Sequence, residues 1–189
     1  MKIVICFPPS PDNKEAFRWE SDLQTALPQA TIELWHADSA FQADYGIVWR
    51  APQAFFDSQT NLKAIFNAGA GVDALLSLNL PAGVPIVRLE DAGMGLQMAQ
   101  YVVHAVLTYF RQFDIYASQA AQGQWLPKAP RRAEDFPIGL LGYGTLGKAI
   151  AAALIPLGFQ VHAWARSEHA DAAIQVFAGD AALPEFLTN

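Results

Sequence analysis

The sequence predicts an α/β protein in two parts. Short apolar runs alternate with helical or turn stretches through the first ninety or so residues, which is the pattern of a parallel sheet covered on both faces. A long amphipathic helix follows. Then comes "IGLLGYGTLGKAIA", where Gly142, Gly144 and Gly147 stand in the spacing GxGxxG between an apolar run and an alanine-rich one.

The first strand is "KIVICF", a continuous apolar run headed by Lys2, as a strand buried on both faces requires. A helix over "PDNKEAFRWESDLQTAL" is expected next, with Asp12 or Asn13 as N-cap and Trp19, Leu23 and Leu27 on one stripe. Further strands are expected at "TIELWH", "YGIVWR", "LKAIFNAG" and "VPIVRL".

From about residue 94 to 120, Met98, Val102, Val106, Tyr109, Phe113 and Tyr116 recur at three- and four-residue steps. A helix of ~25 residues spans ~37 Å, enough to cross from one domain to another. "QGQWLPKAPRRAEDFP" ends that periodicity with a glycine and three prolines and reads as a connection. The expected boundaries are therefore 1–93 for the first domain, 94–135 for the crossing helix and linker, and 136–189 for a partial nucleotide-binding domain. Within the last, Ile138–Leu141 is a strand, 145–155 a helix ended by Pro156 and Gly158, and "FQVHAWA" the next strand.

The glycine turn has a definite chemistry. Gly142 permits a tight turn out of the strand, Gly144 lets backbone approach a pyrophosphate, and Gly147 allows close helix–strand contact. The helix start at Thr145, Leu146 and Gly147 offers unpaired N–H groups and a partial positive charge to phosphates. The end of the second strand decides which nucleotide binds. An NAD site usually has an acidic residue there, but this chain has "WARS": Ala165, eighteen residues after Gly147, carries no carboxylate, and Arg166 and Ser167 follow. A guanidinium and a hydroxyl suit a 2′-phosphate, a contact worth ~1.5–3 kcal/mol. The sequence thus favours NADPH over NADH. The alternative is that Arg166 is a plain loop arginine and Glu168 serves the ribose.

A second glycine loop, "FNAGAGVDALL", follows a buried strand in the first half. Gly69 and Gly71 there would allow positive φ and present successive N–H groups as an anion nest. A small carboxylate would be held by the N–H groups of Ala70 and Gly71, with Arg50 adding charge and Trp49 a wall against water. The competing readings are Trp49 as core and Arg50 as plain surface. Asp73 is expected either to cap the next helix or to touch ligand.

Composition narrows the partners. The chain has 189 residues, 52% apolar and 16% charged, with a net charge of −6 and a pI near 5.1. That balance gives no general attraction to nucleic acid or anionic membrane. The local basic run of Lys128, Arg131 and Arg132 is expected to be a solvated linker, partly neutralised by Glu134 and Asp135. Cys6 is the sole cysteine, so no intrachain disulfide or cysteine-rich metal site can form. No stretch approaches the ~18 apolar residues of a membrane span, and no metal-ligand spacing occurs. A cytoplasmic location is the expectation.

The blocks "FNAGAGVD", "VPIVRLEDAGMGLQMAQYV", "GLLGYGTLGKAIA" and "GFQVHAWARS" together resemble the D-2-hydroxyacid dehydrogenases, within them the glyoxylate/hydroxypyruvate reductase A group. The resemblance runs along essentially the whole chain. It implies a flavodoxin-like substrate domain followed by the first part of a Rossmann domain, and a homodimer when full length. It implies a small 2-keto acid substrate: glyoxylate reduced to glycolate, or hydroxypyruvate to D-glycerate, with hydride from NADPH. It also implies that Gln97 and Met98 lie near the nicotinamide. Gln100 departs from the family's usual glutamate. The family's arginine, glutamate and histidine are expected downstream of Asn189, so that this chain alone would be inactive. His36, His104, His162 and His169 are read as structural or surface. The alternative function is a non-catalytic nucleotide-binding or interaction protein on the same scaffold.

Overall fold

The computed structural model describes residues 1–8 and 14–188 and divides them into two compact units, Met1–Glu90 and Asp91–Asn189. The helix expected to run between domains falls within the second unit. Asp12 and Asn13, expected to cap the first helix, lie outside the described residues.

In the first unit, β1 (Lys2–Cys6), β2 (Thr31–Leu34), β3 (Tyr45–Val48), β4 (Ala64–Asn67) and β5 (Ile86–Arg88) form one parallel sheet in the order β2-β1-β3-β4-β5. All five expected strands are present. Alternate side chains of β1 feed two cores. Ile3 and Ile5 pack with Ile32 and Ile47 against Trp19 and Leu23 of α1 (Lys14–Ala26) and against Leu27 just after it. Val4 and Cys6 pack with Val48, Ile65 and Leu62 against Phe55 and Phe56 of α2 (Gln53–Ser58) and Leu75 of α3 (Asp73–Leu76). Burial on both faces explains the unbroken apolar run of β1. It also pushes the Cys6 thiol up to about 12 and leaves it inert.

Strand order reverses between β1 and β3, which places a topological switch point at their carboxyl ends. Trp49 and Arg50 emerge from β3 at that end.

In the second unit, the long helical signal resolves into α4 (Met94–Arg111) and α5 (Phe113–Ala121). They are separated by Gln112 in the left-handed conformation, φ 58° and ψ 41°. The buried face differs from the expected stripe. Phe110 is 2% exposed and packs with Val102, Val103, Val106 and Leu107, whereas Tyr109, Phe113 and Tyr116 of the expected stripe remain exposed. Arg132 pairs with Glu134 and Asp135, so the linker's charges partly cancel.

A second parallel sheet follows: β6 (Ile138–Leu141), β7 (Val161–Ala165) and β8 (Gln175–Ala178), in the order β6-β7-β8. Helix α6 (Thr145–Leu154) packs Ala151 and Leu154 into its core beside Phe159, Val161 and Ala163. Gly158, at φ 86°, ends the 3₁₀ turn after α6. The strand β8 and the short helix α7 (Leu183–Phe186) complete the described chain. The sequence predicts two strands here, and β8 is a third.

Candidate nucleotide and substrate sites

The turn from β6 into α6 is shaped by its three glycines in three different ways. Gly142 takes φ 111°, a conformation that side chains with a Cβ rarely adopt, and its N–H donates to the Trp164 carbonyl of β7 at 2.8 Å. Gly144 faces open space: a Cβ there would meet nothing within 4 Å. Gly147 lies against the strand exit, where a Cβ would stand 2.1 Å from the Gly142 carbonyl oxygen.

Gly144 is also the N-cap residue of α6, with no side chain capping it. The Lys148 N–H closes the first helical turn onto the Gly144 carbonyl at 2.9 Å, so the N–H groups of Thr145, Leu146 and Gly147 precede the ladder. A bare helix start beside a residue with open space around its Cα suits a diphosphate. Arg166 and Ser167 leave the end of β7 exposed, and among the described residues Arg166 forms no ion pair.

Tyr143, between the first two glycines, is 4% exposed. Its hydroxyl donates to Asp171 Oδ2 at 2.6 Å, and Asp171 Oδ1 accepts from the Ala173 N–H at 2.8 Å. Burial, and then the Asp171 bond, push the Tyr143 phenol up to about 12. The same two donors hold the Asp171 carboxyl below its ordinary range. Neither residue carries a recognisable signal in the sequence.

In the first unit, a pocket of ≈ 250 Å³ is bounded by Trp49, Arg50, Gly71, Asp73 and the floor residue Asn67. Trp49 is 37% exposed, so it is not a core residue. Its indole lies over Gly69, where a Cβ would be 2.0 Å from Cζ3. Arg50 has φ 50° and its guanidinium sits 5.8 Å from the Trp49 ring. Such left-handed non-glycine residues concentrate where surrounding structure enforces them, often at binding sites.

The glycine loop does its work differently from the expected nest. Neither Gly69 nor Gly71 has positive φ. Gly69 is required by the close approach of Trp49, and Gly71 has nothing nearer its Cβ position than Asp73 Oδ2 at 3.9 Å. The loop is instead tied by its carbonyls. Asn67 Nδ2 donates to the carbonyls of Gly69 (2.7 Å) and Gly71 (2.9 Å), and Arg88 reaches the Ala70 carbonyl at 3.5 Å. Because C=O and N–H point oppositely across a trans peptide, this turns the N–H groups of Ala70, Gly71 and Val72 away from the side chains that hold the loop. Asp73 does not cap α3: Val72 is the N-cap and no side chain bonds there. Asn67, 6% exposed, was missed; a buried amide directly before a glycine loop was the available signal.

Gln97 and Met98 lie exposed on α4, Met98 at 37%. His36 and His104 are exposed, His162 packs edge-on against Phe177 and Phe186, and His169 against Tyr143. No histidine is paired with a carboxylate among the described residues, and no metal-binding cluster occurs among them. No helix among them is long and apolar enough to cross a membrane.

Residues 103–189 match the model of the D-isomer specific 2-hydroxyacid dehydrogenase, NAD binding domain. Glyoxylate/hydroxypyruvate reductase A of Yersinia enterocolitica is 46% identical over 179 residues, covering 92% of this chain and 57% of that protein. Its counterpart in Serratia proteamaculans is 43% identical over 170 residues, covering 87% of this chain and 54% of that protein.

Among solved structures, the D-isomer specific 2-hydroxyacid dehydrogenase from Xanthobacter autotrophicus Py2, in complex with NADPH and MES, superposes with a TM-score of 0.82. It is 34% identical and covers 97% of this chain and 60% of its own. The NADPH-dependent glyoxylate/hydroxypyruvate reductase from Sinorhizobium meliloti, in complex with NADP and sulfate, gives 0.83 at 28% identity, covering 98% and 58%. The chain therefore spans rather more than half the length of the curated relatives it matches, and the resemblance read from its motifs holds along nearly all of it.

Proposed function

We infer that this chain, a relative of the D-isomer specific 2-hydroxyacid dehydrogenases, carries the substrate-binding unit and part of the coenzyme-binding unit of an NADPH-dependent reductase of small 2-keto acids. Glyoxylate, giving glycolate, and hydroxypyruvate, giving D-glycerate, are the proposed substrates. The observation that carries the reading is the pairing of a bare glycine turn at Gly142–Gly147 with Arg166 and Ser167 at a strand end that has no carboxylate.

The residues present fit NADPH. Gly144 leaves room for the diphosphate, and the N–H groups of Thr145, Leu146 and Gly147 bind its oxygens. Arg166 and Ser167 hold the adenosine 2′-phosphate. When bound, the coenzyme supplies the hydride. Met98, with Gln97, shields the nicotinamide ring from water. In the first unit, the N–H groups of Ala70 and Gly71 orient the substrate carboxylate, Arg50 neutralises it, and Trp49 walls the site. We assign the proton donor to none of the four histidines described above.

A compartment of cytoplasmic type and a homodimer of the full-length protein belong to the same proposal. The exposed aromatic side chains Tyr101, Tyr109, Phe113 and Trp125 support the dimer. A second reading, a non-catalytic nucleotide-binding or interaction protein, is favoured by the absence of a carboxylate-paired histidine among the described residues.

Following NADPH oxidation by the full-length protein, with glyoxylate and with hydroxypyruvate, separates the two. Turnover supports the reductase. Coenzyme binding without turnover of either keto acid supports the second reading. Arg166→Asp should weaken NADPH about ten- to a hundredfold, the loss of one charge-assisted contact; unchanged affinity for both coenzymes would reject the assignment of Arg166.

A further inference from the structure

We propose that Tyr143 and Asp171 form a latch that positions Arg166 and Ser167 for the adenosine 2′-phosphate, making Tyr143 a specificity-determining residue. The inference rests on the coenzyme reading above and extends it to residues that do not themselves touch the phosphate.

The segment that carries Arg166 and Ser167 leaves β7 at Ala165 and rejoins the sheet at Gln175. Between these points it forms bends without regular secondary structure. A loop of that kind does not by itself hold a guanidinium to the fraction of an ångström that bidentate phosphate recognition needs. Something outside it must fix its course.

Among the described residues, the side-chain hydrogen bond that ties this loop to the rest of the unit is the one from Tyr143 to Asp171, at 2.6 Å. The other carboxylate oxygen of Asp171 accepts the Ala173 N–H and so fixes the turn that carries it. Two further contacts converge on the Tyr143 ring: the His169 ring edge-on at 6.0 Å between centroids, and Lys148 Nζ at 5.8 Å. Lys148 belongs to α6, and His169 to the loop. One buried phenol thus joins the diphosphate turn, the helix behind it and the ribose-reading loop.

The position of Tyr143 in the chain gives the latch its consequence. It lies between Gly142 and Gly144, so the backbone that cradles the diphosphate is the backbone that carries the phenol. Loosening the latch releases the loop and leaves the cradle intact. The cost should fall on the coenzyme that bears a 2′-phosphate and spare the one that does not.

The test is binding of NADPH and NADH to the full-length protein and to Tyr143→Phe, which removes one oxygen and keeps the ring. NADPH affinity should fall about five- to tenfold, less than the loss of a direct charge-assisted contact because Tyr143 acts through the loop, while NADH affinity stays unchanged. Asp171→Asn, at an exposed position, guards against misfolding and against a purely electrostatic explanation. A carboxylate acting by charge alone would repel the 2′-phosphate, so its removal would tighten NADPH, whereas the latch predicts weakening. Equal losses for both coenzymes, no loss in Tyr143→Phe, or tighter NADPH in Asp171→Asn would each overturn the latch. A wild-type protein that binds neither coenzyme would overturn the underlying reading instead.

Discussion

The indole of Trp49 occupies the space that a side chain at Gly69 would need, with Cζ3 2.0 Å from the position of its missing Cβ. The carboxyl end of β3 and the loop after β4 are therefore fitted to each other, ring on backbone. Gly69→Ala should force Trp49 or the loop aside and destabilise the protein by about 1–3 kcal/mol, as overpacking does. Pairing it with Trp49→Leu should return most of that stability, because the obstructing ring is gone. Thermal melting of the two single variants and the double variant checks this: strict additivity would show that the contact is not the reason for the glycine. If Trp49 walls a keto-acid site as proposed, the double variant should still bind keto acid poorly.

The two later glycines of the coenzyme turn predict opposite kinds of damage. At Gly147 the obstacle is the backbone carbonyl of Gly142 at 2.1 Å, which cannot rotate away. Gly147→Ala should lower the melting temperature and abolish coenzyme binding together. At Gly144 a methyl group meets nothing within 4 Å. Gly144→Ala should melt within a degree or so of the parent, the usual range for a surface change. Its coenzyme affinity should drop at least about tenfold if a diphosphate packs against that Cα. An unchanged affinity would place the phosphates elsewhere.

These contrasts show how far the sequence could be read. The runs "KIVICF" and "YGIVWR" are legible because a strand covered on both faces has no polar alternation to blur it. The glycine turn is legible because its spacing carries steric meaning. The break at Gln112 is not: a left-handed glutamine leaves no signature comparable to glycine, so α4 and α5 read as one helix. Just before it two aromatic residues stand side by side, and Phe110 is the buried one while Tyr109 of the expected stripe is exposed. Strand β8 was missed because "QVFA" is four residues long and follows a run of small residues. The loop at Gly69 was placed correctly, but its glycine answers to an indole from another strand. That is a tertiary contact, which local sequence does not encode. Tyr143 occupies a variable position of the motif and gives no sign of a partner twenty-eight residues away.

Gln59 is 0% exposed, and its amide is the reason. Its Nε2 donates to the Phe41 carbonyl at 2.7 Å and its Oε1 accepts the Ala43 N–H at 3.0 Å, so it pins the segment leading into β3. Gln59→Leu keeps the bulk and removes both partners. Each buried backbone group left unpaired costs about 1–3 kcal/mol, so denaturant unfolding should show a loss of about 2–6 kcal/mol, large for one substitution. A loss below about 1 kcal/mol would mean that water reaches those groups.

The first unit also carries a charge cluster with a defined pH window. Asp44 accepts from Lys63 Nζ at 2.8 Å and from the Lys2 backbone N–H at 2.7 Å. The Lys63 hydrogen bond chiefly, then the Lys2 N–H, holds the Asp44 carboxyl below its ordinary 3.8. Asp44 in turn raises Lys63 above its ordinary 10.5. A carboxyl depressed on folding stabilises fully above its unfolded value, and that stability disappears as pH falls through the folded value. A raised ammonium stabilises fully below its unfolded value and loses the contribution as pH climbs through the folded one. Asp44→Asn should therefore lower the melting temperature by a constant small amount from about pH 5 to pH 9. The difference from the parent should close as pH falls below the ordinary carboxyl value and through the lowered folded one, where the native carboxyl is protonated too. Because the pair is exposed, raising the salt concentration should shrink the plateau. A difference that persisted undiminished at low pH would assign the effect to packing and leave the ion pair with no part in it.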